Sequence, residues 1–396
     1  MAPDSSLTIL LALKDRTGFT LRWMAYADAI RFPFKVLIAD GGADESLPKV
    51  LSDRGRFPQV DYEYVRFPYD ATYADYYAKV DDALCRVQTP LVALADNDDF
   101  FVVDGVRDAA QFLLDHPDYS TCGGQCAAFW VSGSQGSDPL YGSRIEWKSS
   151  LDRQSVEEDT ARARIRYQSL RATYPIYYHV RRTADCREHF RTLREVNLTD
   201  LFLVEYFLWF LTAIAGKTKQ LESLYIARQW NSPGGSGTAH LETFGDWFGR
   251  MLVPSWSSDF TKFVDATATA LASRDGIALD EARRWVIDSY RMLVAPALLE
   301  DLQDEPTITA RMALAVGMFR RLLRLPLQHP VRRAARMMYR RFQPISVDAV
   351  HGTQFRRRRV NHAAAAFEPI RQFLSNAKSS TPGRPPGSRS DSGKLL

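Results

Sequence analysis

The chain has 396 residues, of which 45% are hydrophobic and 12% aromatic, and a net charge of +4. That length and apolar content exclude a disordered or fibrous chain and leave room for two domains with a sizeable core. Four cysteines (Cys85, Cys122, Cys126, Cys186) make no disulfide framework, and the Cys122/Cys126 spacing is not that of a zinc knuckle.

In chain order, strands are predicted at 7–13 (LTILLAL), 35–40 (KVLIAD), 61–67 (DYEYVRF) and 91–96 (LVALAD), each a short apolar run bounded by turn residues. Helices are predicted between them. GFTLRWMAYADAI (18–30) carries Leu21, Met24, Ala25 and Ile30 at helical spacing, and YADYYAKVDDALCRV (73–87) carries Tyr73, Tyr77, Val80, Leu84 and Val87. This alternation implies an α/β fold, a mainly parallel sheet flanked by helices. Ligands of such sheets collect beyond the carboxyl ends of the strands.

Residues 132–160 are Gly/Ser-rich with isolated Tyr141 and Trp147, and are expected to form a long functional loop. A strand-like YPIYYHVRR (174–182) precedes a helix from Asp200 to Ala215 closed by Gly216, and then a strand LYIARQW (224–230). The polar NSPGGSGTAH (231–240) marks a boundary. Residues 1–240 are thus expected to form the α/β domain, 241–345 an all-helical C-terminal domain, and 346–396 a basic, partly disordered tail. The first residues lack the features of a signal peptide, and no window of about 18 uncharged apolar residues occurs, so a cytoplasmic location is expected. The Asn197-Leu198-Thr199 sequon would matter only in a secreted protein.

LVALADNDDFF (91–101) sets Asp96, Asp98 and Asp99 at the tip of a buried strand. Like charges so close raise one another's cost unless a cation lies between them. Oxygen ligands suit Mg²⁺ or Mn²⁺, and residues i and i+2 of an extended chain point the same way, so Asp96 and Asp98 can address one ion. The alternative use of these residues is a turn that caps the helix beginning near Asp104. A second acid, Asp40, ends an earlier strand and is followed by Gly41-Gly42. A phosphate loop at AGKT (215–218) is excluded, because that motif needs glycine where Leu211 stands and must open a helix instead of following one.

With these residues in place, the chain resembles the GT-A glycosyltransferases, in particular the family-2-like bacterial enzymes of surface-polysaccharide assembly. The resemblance covers roughly residues 5–230. It rests on VLIADGGADES, on YYAKVDDALCRVQTPLVALADNDDFF and on LFLVEYFLWFLTAIAGKTKQLESLYIARQ. It implies a GT-A (Rossmann-like) fold and a UDP- or GDP-linked sugar donor, with Mn²⁺ or Mg²⁺ as cofactor. Asp40 would hold the nucleotide base, Asp96 the ribose or the metal shell, and Asp98 the metal bridging the diphosphate. Lys79 would face the phosphates. Glu205 stands where the family keeps its general base, which takes the acceptor's proton in an inverting displacement. The family's base commonly has an acidic neighbour, whereas Tyr206 follows Glu205, so Asp200 competes for the role. Glu205 lies among apolar residues, a setting that calls for a functional or paired carboxylate. Arg228 has two uses open, pairing with the diphosphate or capping a strand end. His240 is a candidate to complete the metal shell, as a late histidine does in some retaining relatives.

The segment from Arg311 to Arg359 holds thirteen arginines against one acid, Asp348. Within it, residues 318–342 interleave arginines with Leu, Met, Phe and Tyr, so peripheral contact with an anionic membrane over 318–359 and packing on the protein's own domain are both open. Nucleic acid is not an expected partner, because no aromatic platform accompanies the basic run. The expected function is transfer of a sugar to a glycan or lipid-linked glycan in bacterial polysaccharide or glycoconjugate biosynthesis. A nucleotidyltransferase of related fold and a catalytically silent GT-A-like binding module are the alternatives.

Overall fold

Leu7–Leu13, apolar at nearly every position, forms the central strand β1 and is buried along its whole length. Side chains alternate across a strand, and here both faces are covered. Leu7, Ile9 and Leu11 pack with Trp23, Met24 and Ala27, while Leu10 faces Tyr77, Val80 and Phe207. The computed structural model describes residues 2–133, 139–150, 154–171, 176–233, 247–303 and 353–375.

β1 is flanked by β2 (Lys35–Asp40) and β4 (Leu91–Ala95), and β3 (Tyr62–Arg66) pairs with β2, all in parallel. The sheet continues through β8 (Val180–Arg182), β6 (Tyr119–Ser132), β9 (Lys217–Gln229) and β5 (Phe100–Phe101), and β7 (Arg144–Ser150) pairs off β6. The chain winds outward from β1 to β3 and then returns to β4 on β1's other side. The carboxyl ends of β1 and β4 therefore meet at a switch point, the place where such sheets open a crevice.

Helices link the first strands: α1 (Thr17–Ala29) follows β1, a short helix (Ser46–Ser52) follows β2 and α2 (Tyr73–Leu84) follows β3, with α3 (Val103–Asp115) after β5. Then come α4 (Ala161–Arg171), α5 (Thr183–Val196) and α6 (Leu201–Ala215). The last is buried on nearly all sides. Asp200 caps its start by accepting from Leu203 N at 2.9 Å. Arg164 closes its end, donating to the carbonyls of Ala213 (2.6 Å) and Ile214 (3.2 Å), which a helix terminus otherwise leaves unpaired. Beyond it, α7 (Pro254–Asp275) and α8 (Leu279–Gln303) bury Phe263, Leu271, Val286 and Tyr290 against Phe207 and Phe210 of α6. These C-terminal helices share one core with the sheet's α6 face.

Three expectations need correction. Residues 132–160 are not one long loop, since β7 pairs antiparallel with β6 through Trp130↔Glu146 and Phe129↔Trp147. Among the described residues of the strand expected at 174–182, only 180–182 is extended, after a 3-10 turn at Ile176–Tyr178. Within the expected tail, Thr353–Ser375 forms a helix, α9, whose Phe367, Ile370 and Leu374 are buried against Phe100, Phe129 and Val131. Apolar side chains at that helical spacing cover the sheet face that α6 does not. Residues 318–342 lie outside the described residues. Among the described residues no helix is long and apolar enough to cross a membrane.

Candidate active site

β4 ends at Ala95, paired with Leu11 of β1, so Asp96 enters the crevice at the switch point. The chain then turns through Asn97, whose amide donates to Thr20 Oγ1 at 3.1 Å, and returns through Asp98 and Asp99 to β5. Asp96, Asp98 and Asp99 each offer a carboxylate oxygen within 4.8 Å of the others. The turn serves the clustering of the acids, and the helix that follows (α3) has no side-chain cap from them.

The three acids differ in what already holds them. Asp99 is buried and doubly engaged: Arg228 Nε donates to Oδ2 at 2.8 Å and Gln229 N to Oδ1 at 3.0 Å. Asp98 Oδ2 accepts from Arg16 Nη2 at 3.1 Å and from Ser232 Oγ. Asp96 Oδ2 accepts from the Tyr178 hydroxyl. Among the described residues, Asp96 and Asp98 each keep their Oδ1 free of hydrogen bonds. Burial pushes the Asp99 carboxyl up to about 7, with Arg228 pulling against it and the neighbouring acids adding to it. Asp96 is raised as well, by burial first and then by the Asp98 charge. A hard divalent cation fits this donor set, since clustered carboxylates lose their mutual repulsion when it binds and two of them keep an oxygen without a hydrogen bond among the described residues. Asp96 and Asp98 would hold it. Asp99 instead fixes Arg228.

The wall opposite comes from β1 and α1. Asp15 and Arg16 both adopt left-handed backbone conformations, with φ of 55° and 58°. Non-glycine residues are strained there, and two in a row mark a loop held by its surroundings. The strain aims Arg16 at Asp98. Arg22 is buried and donates to Asp98 O at 3.0 Å and to Gln229 Oε1 at 2.7 Å, tying α1 to the acidic turn and to β9. Burial lowers its pKa to about 10, so it remains charged at neutral pH.

Glu205 of α6 lies close enough to the acidic turn for the charges of Arg228 and Asp96 to act on it. Burial pushes its carboxyl up to about 7, opposed by Arg228 and reinforced by Asp96. Among the described residues it accepts no hydrogen bond. Asp200, its competitor, has both oxygens committed, one to the cap of α6 and the other to the buried Arg250, whose Nε lies 3.1 Å away.

The other expected residues are placed less directly. Asp40 is buried at the end of β2 and accepts from Gly42 N (2.8 Å), Tyr64 OH (2.7 Å) and Arg66 Nη1 (2.6 Å). Gly42 is required there, because a Cβ would lie 2.6 Å from Asp15 N. Lys79, expected to face phosphates, is turned inward: its ammonium donates to Leu13 O at 2.6 Å and pairs with Asp70. The reason is burial, which demands a paired carboxylate for its charge. His240 lies outside the described residues. Sequence reasoning missed Arg16, Arg22, Tyr178 and Ser232 as members of the site. Arg22, an arginine among the apolar residues of α1, was the one with a visible signal.

No protein-family model matches the chain, and no curated protein matches it. Among solved structures it is similar to S. aureus TarS, at 14% identity and a TM-score of 0.39, over 73% of this chain and 55% of that one. It is also similar to S. aureus TarS 1-349 in complex with UDP-GlcNAc (13% identity, TM-score 0.45, 94% and 91% covered). A third is the mannosyltransferase PcManGT from Pyrobaculum calidifontis in complex with GDP-Man and Mn²⁺ (13% identity, TM-score 0.38, 84% of each chain). Likenesses of this order leave the chemistry to be read from the site's own residues.

Proposed function

We propose that the chain is a glycosyltransferase that moves a sugar from a nucleotide-diphosphate donor, UDP- or GDP-linked, to a glycan hydroxyl. One observation carries this reading: at the sheet's switch point Asp96 and Asp98 cluster with a carboxylate oxygen each left without a hydrogen bond among the described residues, and Glu205, which accepts none among them, feels the Asp96 charge. A divalent cation, Mn²⁺ or Mg²⁺, would supply charge neutralisation for the leaving diphosphate. Glu205, ionised above about 7, takes the proton of the acceptor hydroxyl as that oxygen attacks the anomeric carbon. A single displacement of this kind inverts the stereocentre. Arg228, held by Asp99 and by Tyr178 OH at 3.0 Å, keeps a positive charge beside both carboxylate groups. The acceptor class is a glycan or lipid-linked glycan, in polysaccharide or glycoconjugate assembly, and the basic stretch 318–359 is the candidate contact with an anionic membrane.

A second reading, a catalytically silent binding module, is favoured by Arg16 on Asp98 and Arg228 on Asp99, which neutralise two of the three acids without an ion. Calorimetry against nucleoside diphosphates, with and without Mn²⁺, separates the two. Metal-dependent binding of one nucleotide, abolished by Asp98→Ala, supports the transferase. Binding indifferent to metal in both proteins points to the silent module.

A further inference from the structure

Trp230 follows directly on β9, and 64% of its surface is exposed, while Trp130 of β6 is half-buried beside it with ring centroids 6.2 Å apart. Single exposed apolar residues are ordinary, but a pair of large rings on one patch marks a binding surface. The pair is built into the sheet. Trp230 N donates to Phe129 O at 2.9 Å, which extends the β6–β9 ladder one residue past Gln229. Phe129 turns its ring to Phe367 of α9, so by the alternation of a strand Trp130 faces the opposite side. Arg228 stands two positions before Trp230, about 7 Å along an extended chain.

The backbone around Trp230 is pinned to the acidic turn. Arg228 and Gln229 bond Asp99 before it, and Ser232 bonds Asp98 after it. Asn231 clamps Val131, donating to its carbonyl at 2.6 Å and accepting from its N–H at 3.1 Å. A backbone pinned on both sides of Trp230 fixes where its ring can stand, which limits the ordering needed on binding. Beside the rings, Glu146 sits across from Trp130 in register and pairs with Arg144. The patch thus joins apolar faces to a charged rim. A pyranose has that pairing, with C–H bonds on one face and hydroxyls around its edge.

We propose that Trp130 and Trp230 form the stacking platform for the saccharide acceptor, with the Glu146–Arg144 pair meeting its hydroxyls. The proposal rests on the transferase reading above and adds where the acceptor lies. The test uses the full chain and its Trp230→Ala, Trp230→Phe and Trp130→Ala variants. Tryptophan fluorescence is titrated with cellotetraose, chitotetraose and maltotetraose, and nucleoside diphosphate binding with Mn²⁺ is measured in parallel. The expected result is saturable quenching by one tetrasaccharide, weakened tenfold or more by Trp230→Ala and partly restored by phenylalanine, with nucleotide affinity unchanged. Saccharide affinity unmoved by Trp230→Ala, no saccharide response in a protein that binds nucleotide, or a nucleotide affinity that falls with Trp230 overturns it. If the protein binds no nucleotide yet binds saccharide through Trp230, the transferase reading falls and the platform stands.

Discussion

Glu205 of α6 and Asp96 at the end of β4 are electrostatically coupled: the Asp96 charge adds to burial in pushing the Glu205 carboxyl up to about 7. Arg228 acts against both, so the glutamate is held near neutrality with no hydrogen bond among the described residues to fix its state. A group poised in that way exchanges a proton readily at working pH.

From this follows a pH profile. Glu205 acts as a base only when ionised, so kcat/KM should rise as pH climbs through about 7 and level off above it. Glu205→Gln should lower turnover by roughly 10²- to 10⁴-fold, keep donor binding and lose the rising limb. A variant with near-normal turnover and an unchanged limb would move the base elsewhere.

Asp200 should behave as a structural residue. Asparagine keeps the N-cap of α6, whereas alanine removes both the cap and the partner of buried Arg250. Asp200→Ala is expected to cost about 3–5 kcal/mol from the broken buried pair, and Asp200→Asn less. Urea melts measure both, and kcat of the folded Asn variant should stay close to that of the parent.

Phe367 tests whether α9 belongs to the folded body. Its ring lies 5.2 Å from Trp147 and 5.9 Å from Phe129 and is almost fully buried. Phe367→Ala should destabilise by about 3–5 kcal/mol and expose the helix to limited proteolysis. Unchanged stability and protease resistance would mean that the helix contributes no packing.

His189 of α5 gives stability a pH dependence of its own. Burial lowers its pKa from 6.5 to about 3, so below 6.5 the unfolded chain binds a proton that the folded one refuses. Stability contributed by this residue is full above 6.5 and falls by about 1.4 kcal/mol per pH unit as pH drops toward 3. His189→Leu, which also removes a buried Nδ1 with no hydrogen-bond partner among the described residues, should flatten that slope. Urea titrations at pH 5 and pH 7.5 compare the two proteins, and equal slopes would remove the effect.

The four parallel strands were legible because each is a short apolar run, and burial on both faces leaves that mark on local sequence. The acidic turn was legible for the opposite reason, as charge set against such a run. β7 and α9 were hidden by their neighbours: Ile145 and Trp147 alternate within a Gly/Ser-rich stretch, and Phe367, Ile370 and Leu374 follow an arginine run. The partners of α9, Phe129 and Val131, lie far away in the chain.

What the sequence determined by itself is the alternation of strands and helices, the strand-end positions of Asp40 and Asp96, and the run of acids through Asp99. These depend on neighbours within a few residues, where period and turn chemistry act. Only the tertiary structure decided that Arg16 and Ser232 hold Asp98, that Asp99 belongs to Arg228, that Lys79 is taken by Asp70, and that Asp200 is committed to the cap of α6 and to Arg250 while Glu205 feels the Asp96 charge. Each of these depends on which side chains burial and pairing bring together, and that is settled when the sheet closes around β1 and β4.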